Sequence, residues 1–309
     1  MTGPFPYASP AALRAALTDR LKRLAVASPF TVTELHRQFA YDRLLARVFS
    51  APDADRWVLK GAAALLARLD VARHSKDIDL SRQSTVDLDE AERAFRAAAE
   101  RSVGDFFVFE IGPAAPLVGD KGLRFAVVTG LGGRPFAAFS VDLVVGQSMT
   151  ALPEAVPPLV AVDIPGLLRV NYRAYPLVDH IADKVTACLE THARSGGAVS
   201  VSSRYKDLVD LVLIARTQQP VAADLRHALL SETARRGIGL PAAFVAPGPL
   251  WPAGYEAKAT EVPQLEEFGR FPAAMALVKA MLDPILAGTA AGRWDPKQAT
   301  WVGSGLASP

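Results

Sequence analysis

A single cysteine, Cys188, among 309 residues excludes an intrachain disulfide and any thiolate-rich metal centre. The five histidines are scattered, so together with Cys188 they offer no zinc-ligand set. No apolar run approaches the roughly 18 to 20 residues that a membrane-spanning helix needs, and no basic-then-apolar leader opens the chain, so a cytoplasmic protein is expected. Charge of one sign is also missing: 34 Lys and Arg against 32 Asp and Glu leave a net +2. That balance does not mark a nucleic-acid binder, and any electrostatic footprint has to come from local clusters. No internal repeat recurs at a fixed period.

What is present is ordinary globular material, 50% hydrophobic and 21% charged, and its length favours two lobes over one. Residues 1–8 are rich in Pro and Gly and are expected to be loose. Ser9 and Pro10 then read as the cap and first position of a helix with Leu13, Leu17, Leu21 and Leu24 inward. A second helix is predicted over 33–50, with Leu35, Phe39, Leu44, Leu45 and Val48 buried. A third, over 85–101, carries Asp87, Asp89 and Glu90 in its first turn, where acidic groups suit the helix dipole. Strands are predicted over 106–111, 123–129 and 136–145. The Pro-rich stretch 153–165 reads as a linker. Beyond it come helices over 177–193, 204–215, 221–236 and 273–286, with a Ser/Gly-rich loop at 195–203. The division expected is N-terminal helices over 1–52, a core over 53–152, a helical lobe over 166–287 and a weakly ordered tail over 288–309.

The chain is organised around residues 57–81. Trp57-Val58-Leu59-Lys60 is a short apolar strand that breaks at Gly61, an alanine/leucine helix follows, and a second strand carries Asp77-Ile78-Asp79. Alternate residues of a strand share a face, so both aspartates project the same way, about 6 to 7 Å apart, while Ile78 points into the core. Two carboxylates that close resist joint ionisation unless a cation lies between them. Magnesium binds through one or two carboxylates plus substrate phosphate oxygens, and that arrangement suits this pair.

The order of glycine turn, helix and Asp-x-Asp strand resembles the nucleotidyltransferase superfamily that includes DNA polymerase beta. More narrowly, Leu59-Lys60-Gly61 followed by Arg73-x-Ser75-x-Asp77-Ile78-Asp79-Leu80 resembles the AbiEii/MenT toxin family of bacterial type IV toxin–antitoxin systems. The resemblance implies a mixed α+β fold: a polymerase-beta-like core with a mixed sheet, plus a mainly helical C-terminal lobe. It further implies a nucleoside triphosphate held with Mg²⁺ or Mn²⁺ by Asp77, Asp79 and Asp142, with Lys60, Gly61, Ala62, Arg73 and Ser75 near the nucleotide. Asp142, in Ser140-Val141-Asp142-Leu143-Val144, enters as the carboxylate that such proteins place on a neighbouring strand; otherwise it is a strand aspartate facing water. One departure is Ala62, which stands where the family usually has a second Gly or Ser. Backbone N–H groups at a helix start still serve a phosphate there, but a hydroxyl contact is lost.

Two further matches lie in the C-terminal half. Lys184 falls at the edge of the apolar stripe formed by Leu177, Ile181, Val185 and Cys188, where a lysine either snorkels to solvent or points into a cleft between lobes. The family carries a functional lysine on this helix, and Asp183-Lys184 matches its motif. Arg204-Tyr205-Lys206-Asp207-Leu208-Val209-Asp210-Leu211 matches the family's Arg-x-x-Asp-Leu-x-Asp-Leu. The resemblance therefore assigns Lys184 and Asp207 to catalysis and Arg204 and Asp210 to the nucleotide. As a bare helix the same residues amount to surface charge pairing worth a few tenths of a kcal/mol.

Related toxins add nucleotides to the 3′ end of tRNA, which blocks aminoacylation and growth, so the implied partners are an NTP, a tRNA 3′ end and a cognate antitoxin. Arg68, Arg73, Lys76, Lys206, Arg235 and Arg236 are candidates for phosphate contacts. Phe244, Trp251 and Tyr255 among prolines either stack unpaired bases or pack a long loop down. Two other readings use the same motif: nucleotidylation of a protein or small molecule, and a nucleotide-binding regulator without turnover.

Overall fold

A computed structural model describes residues 5–69, 73–117, 122–193 and 199–303, without the side chains of 191–193 and 199–200. These residues form two compact units: one runs up to Ser148 and resumes over Pro153–Tyr175, and the other holds Arg73, Met149–Leu152 and the chain from Pro176. Residues 1–4, 195–198 of the Ser/Gly-rich loop and 304–309 of the expected tail lie outside the described residues.

In the first unit, helix α1 (Pro10–Val26) starts where the Ser9 hydroxyl accepts the Ala12 N–H at 3.2 Å, and Leu13, Leu17 and Leu21 are buried. Helix α2 (Val32–Val48) begins in a reciprocal cap. The Thr31 hydroxyl accepts the Glu34 N–H, and the Glu34 carboxylate accepts the Thr31 N–H at 2.8 Å. This helix is buried on nearly every side, so its polar groups need internal partners. Asp42 accepts the N–H groups of Leu159 and Val160 and the Tyr172 hydroxyl, and Arg47 grips Asp105 at 2.7 and 2.9 Å.

Strand β1 (Trp57–Lys60), helix α3 (Gly61–Arg68) and strand β2 (Asp77–Arg82) follow. Helix α4 (Leu88–Glu100) starts three residues later than its pattern suggested, because the Asp87 carboxylate caps the N–H groups of Asp89 and Glu90. Then come β3 (Phe107–Ile111), β4 (Ala115–Pro116), β5 (Gly122–Leu131), β6 (Arg134–Val145), β7 (Glu154–Val156) and β8 (Tyr172–Ala174). The sheet runs β3-β5-β6-β2-β1-β8-β7, with β4 beside β5. It is mixed: β2 is parallel to β6 and β1 to β8, and the remaining pairs are antiparallel. The fold class is thus α+β, as expected.

Residues 153–165 are not a linker. The stretch carries β7, and Val160, Val162 and Ile164 are buried with Leu13, Leu17 and Phe39 in the core of the first unit. The boundary falls instead between Tyr175 and Pro176, ten residues beyond the expected start of the helical lobe.

The second unit contains α5 (Leu177–Leu189), a hairpin of β9 (Thr191–Ala193) and β10 (Val199–Val201), α6 (Tyr205–Thr217), α7 (Ala222–Arg236), α8 (Trp251–Ala259), α9 (Phe271–Leu286), and a hairpin of β11 (Arg293–Asp295) and β12 (Thr300–Val302). Gly237 ends α7 in the left-handed conformation, φ 67°. The segment expected to be a tail is folded over Arg293–Val302. Trp294 is buried there, its indole N–H donating to the Ala215 carbonyl at 2.7 Å. Among the described residues no helix is long and apolar enough to cross a membrane.

Candidate active site

The end of β1 turns at Gly61, whose φ of +59° favours glycine. Space demands glycine as well, because a Cβ there would stand 1.7 Å from Oδ2 of Asp79. The Asp79 carboxylate therefore lies directly against the first residue of α3. Ile78 is fully buried, and its neighbours Asp77 and Asp79 are half-buried on the opposite face. The Ser75 hydroxyl donates to Oδ1 of Asp77 at 2.8 Å, and the Tyr41 hydroxyl donates to the Ser75 carbonyl at 3.0 Å. Burial, opposed by the Arg37 charge and reinforced by that of Asp77, pushes the Tyr41 phenol well above its usual range, so it remains a donor.

Register aligns four charged residues across four strands. Lys60 on β1 pairs with Asp79 on β2, Asp79 with Asp142 on β6, and Asp142 with Arg124 on β5. The two ends of the row differ. The Lys60 ammonium donates to the Gln147 amide oxygen and lies 4.2 Å from the centre of the Tyr175 ring. The Arg124 guanidinium forks onto Asp142, with both bonds 2.6 Å long. That hydrogen-bonded carboxylate raises the guanidinium pKa further, with smaller contributions from Asp77 and Asp79.

Fitness for a divalent ion follows from these positions. Asp77 and Asp79 supply two hard oxygen donors on one face beside a helix start, which suits magnesium shared with a phosphate. Asp142 lies in register with Asp79, but its carboxylate is bound to Arg124. Among the described residues no three His, Cys, Asp or Glu converge as a cation site. Neither expectation for Asp142, third ligand or water-facing aspartate, includes this arginine partner.

The remaining motif residues lie in the second unit. Lys184 on α5 does not snorkel: it is 4% exposed, and its ammonium donates to Asp207 at 3.0 Å and Asp210 at 2.6 Å on α6. Asp210, which the helical pattern placed further round than Asp207, is as deeply buried. Arg73 forks onto Asp210 at 2.9 and 3.1 Å, and the Arg204 Nε donates to Asp207 at 2.5 Å. Burial alone pulls the Lys184 pKa down, but Asp210 and Asp207 outweigh it and hold the ammonium above its ordinary range. Burial likewise raises Asp207, and Lys184 with Arg204 reverses the sign, leaving that carboxyl below its usual value. Lys184, Asp207 and Asp210 thus form a buried ionic cluster, joined by the partly buried Arg73 and the exposed Arg204.

Other expected contacts are committed elsewhere. Arg68 binds Glu154 and the Tyr175 carbonyl, Arg235 binds Glu232, and Arg236 binds Asp183, Glu190 and Glu232. Lys76 and Lys206 are exposed. Phe244, Trp251 and Tyr255 are fully buried and present no face to a base, and the last two lie on α8 in place of the expected long loop. Ala62 is also buried, in the first turn of α3. The sequence reading missed Arg124, Gln147, Tyr175 and Tyr41. Only Arg124 left a signal, a cation on a predicted strand next to the one bearing Asp142.

The family model of the AbiEii nucleotidyl transferase toxin of type IV toxin–antitoxin systems matches residues 43–301. No curated protein matches the chain at a significant level. Among solved structures, MenT4, a nucleotidyltransferase toxin from Mycobacterium tuberculosis H37Rv, superposes with a TM-score of 0.53 at 16% identity, covering 87% of this chain and 88% of that one. JHP933 from Helicobacter pylori gives a TM-score of 0.44 at 14% identity, covering 82% and 94%. At 16% identity the likeness to MenT4 speaks for the fold alone.

Proposed function

The chain belongs to the AbiEii family of nucleotidyltransferase toxins of type IV toxin–antitoxin systems, and on that premise we propose that it transfers the nucleotidyl group of an NTP to the 3′ end of tRNA. The observation that carries the reading is the Asp77/Asp79 pair set against the Gly61 turn. Mg²⁺ or Mn²⁺ is proposed to be held by Asp77 and Asp79. Bound there, it supplies charge neutralisation and alignment for an in-line displacement at the α-phosphorus, with pyrophosphate leaving.

The chain's own residues prepare that place. Ser75 orients the Asp77 carboxylate by a hydrogen bond, and Gly61 leaves room for Asp79. The first N–H groups of α3, unpaired within the helix, are suited to phosphate oxygens. Lys184 and Asp207 join the proposal through the family motif, Lys184 as a cation and Asp207 as the group that orients it. An antitoxin partner follows from the family, and a cytoplasmic location fits an intracellular RNA acceptor.

The test is incubation with each α-labelled NTP and Mg²⁺ in the presence of total RNA or of purified proteins. Label at the 3′ end of tRNA-sized RNA, lost in Asp79→Asn, is the expected outcome. Label in protein alone refutes the acceptor, and no label in either fraction refutes the transfer.

A further inference from the structure

The row Lys60–Asp79–Asp142–Arg124 places two carboxylates side by side on adjacent parallel strands, about 4.8 Å apart at the backbone. Its outer cations behave differently. Lys60 is directed to Gln147 and Tyr175, whereas Arg124 takes both oxygens of Asp142. The Asp142 side chain is 13% exposed and the Arg124 side chain 50% exposed. Such a guanidinium has water to move into when a divalent ion, a hard cation suited to carboxylate oxygens, competes for Asp142.

Resting on the metal-dependent reading above, we propose that Arg124 is a positioning residue that competes with the divalent ion for Asp142. With Arg124 in place, Asp142 is withheld and the ion meets only Asp77 and Asp79. When the ion recruits Asp142 as a third ligand, the guanidinium must leave, and one internal cation is exchanged for an external one. Each ion bound therefore works against the fork, so Arg124 sets the metal affinity of the free protein.

The test is Mn²⁺ binding to the full chain without nucleotide, read by electron paramagnetic resonance of the free ion. Arg124→Gln should lower the Mn²⁺ Kd roughly three- to tenfold, the range expected when a partly exposed ion pair is removed. Adding Asp142→Asn to that variant should abolish the gain. Thermal melts confirm folding, and Arg124→Lys, which keeps the charge without the fork, should lie between wild type and Arg124→Gln. Unchanged or weaker binding in Arg124→Gln overturns the proposal, as does a gain that survives Asp142→Asn, or no Mn²⁺ binding by either wild type or Arg124→Gln. The measurement is independent of catalysis: altered Mn²⁺ affinity without nucleotidyl transfer leaves the competition between Arg124 and the ion standing and refutes the proposed reaction alone.

Discussion

Oδ2 of Asp79 occupies the space that a side chain on Gly61 needs, 1.7 Å from the Cβ position. Gly61→Ala therefore has two effects, backbone strain at φ +59° and displacement of the carboxylate. Strain of this kind costs about 1 to 3 kcal/mol, while misplacing a reacting group by about 1 Å costs roughly 100-fold in rate. Gly133→Ala is the control, since Gly133 has φ +72° and nothing within 4 Å of an added Cβ. Both variants should melt earlier than wild type, and only Gly61→Ala should lose nucleotidyl transfer.

Expression of the wild type should slow bacterial growth, and Asp79→Ala should relieve it with little change in thermal stability. Two carboxylates held on one strand face repel in the absence of a cation, so removing one harms chemistry more than folding. Growth curves and melts of the purified variant check this, and equal toxicity of a well-folded Asp79→Ala would contradict the enzymatic reading.

Transfer should stop in excess EDTA and return with Mg²⁺ or Mn²⁺, while a zinc-selective chelator should leave it unchanged. The donors proposed are carboxylate oxygens, which suit hard ions, and the single cysteine, Cys188, is buried. Full activity in EDTA would rule out the metal role of Asp77 and Asp79.

Lys184→Ala leaves Asp207 and Asp210 short of a buried cation and should destabilise the protein by about 3 kcal/mol or more in urea unfolding. A solvated lysine would lose under about 0.5 kcal/mol. The pH dependence has a definite sign. Lys184, raised above its ordinary 10.5, contributes stability that is full below that value and is lost as pH rises through the higher folded value. Asp207, lowered from 3.8, contributes stability that is present above 3.8 and is lost as pH falls through its depressed value. The midpoint of wild-type unfolding should therefore fall at both extremes of pH, and Lys184→Ala should remove the Lys184 share of the alkaline loss while that of the buried Tyr41, Tyr172 and Tyr255 phenols remains. If Lys184 also serves the reaction, transfer by this variant should fall well beyond what its unfolded fraction explains.

Trp294→Ala should cost about 3 to 5 kcal/mol, the range for deleting a buried aromatic side chain, because Trp294 is 1% exposed and bonded to Ala215. Truncation after residue 287 should destabilise the protein at least as much. A disordered tail would give neither effect in a melt.

Local rules account for what the sequence determined by itself. The turn at Gly61, the helix after it and the alternation of Asp77, Ile78 and Asp79 depend on residues a few positions apart, so 57–68 and 77–81 fold as their pattern reads. The caps at Ser9 and Asp87 are local in the same sense. The tertiary structure decided what depends on partners distant in the chain. Counted from the two-residue turn at Gly132-Gly133, Arg124 would stand opposite Val141, but a bulge between Thr129 and Gly130 shifts the register by one and brings it to Asp142. The prolines of 153–165 signal an irregular chain, yet they cannot show that Leu59 of β1 will pair with Ala174 of β8 and draw the stretch into the first unit. Periodicity puts Lys184 at the edge of an apolar stripe and goes no further, because a lysine there follows whichever carboxylates reach it. Those carboxylates, Asp207 and Asp210, come from a helix more than twenty residues away, and desolvating all three together is favourable only once α5 and α6 have packed.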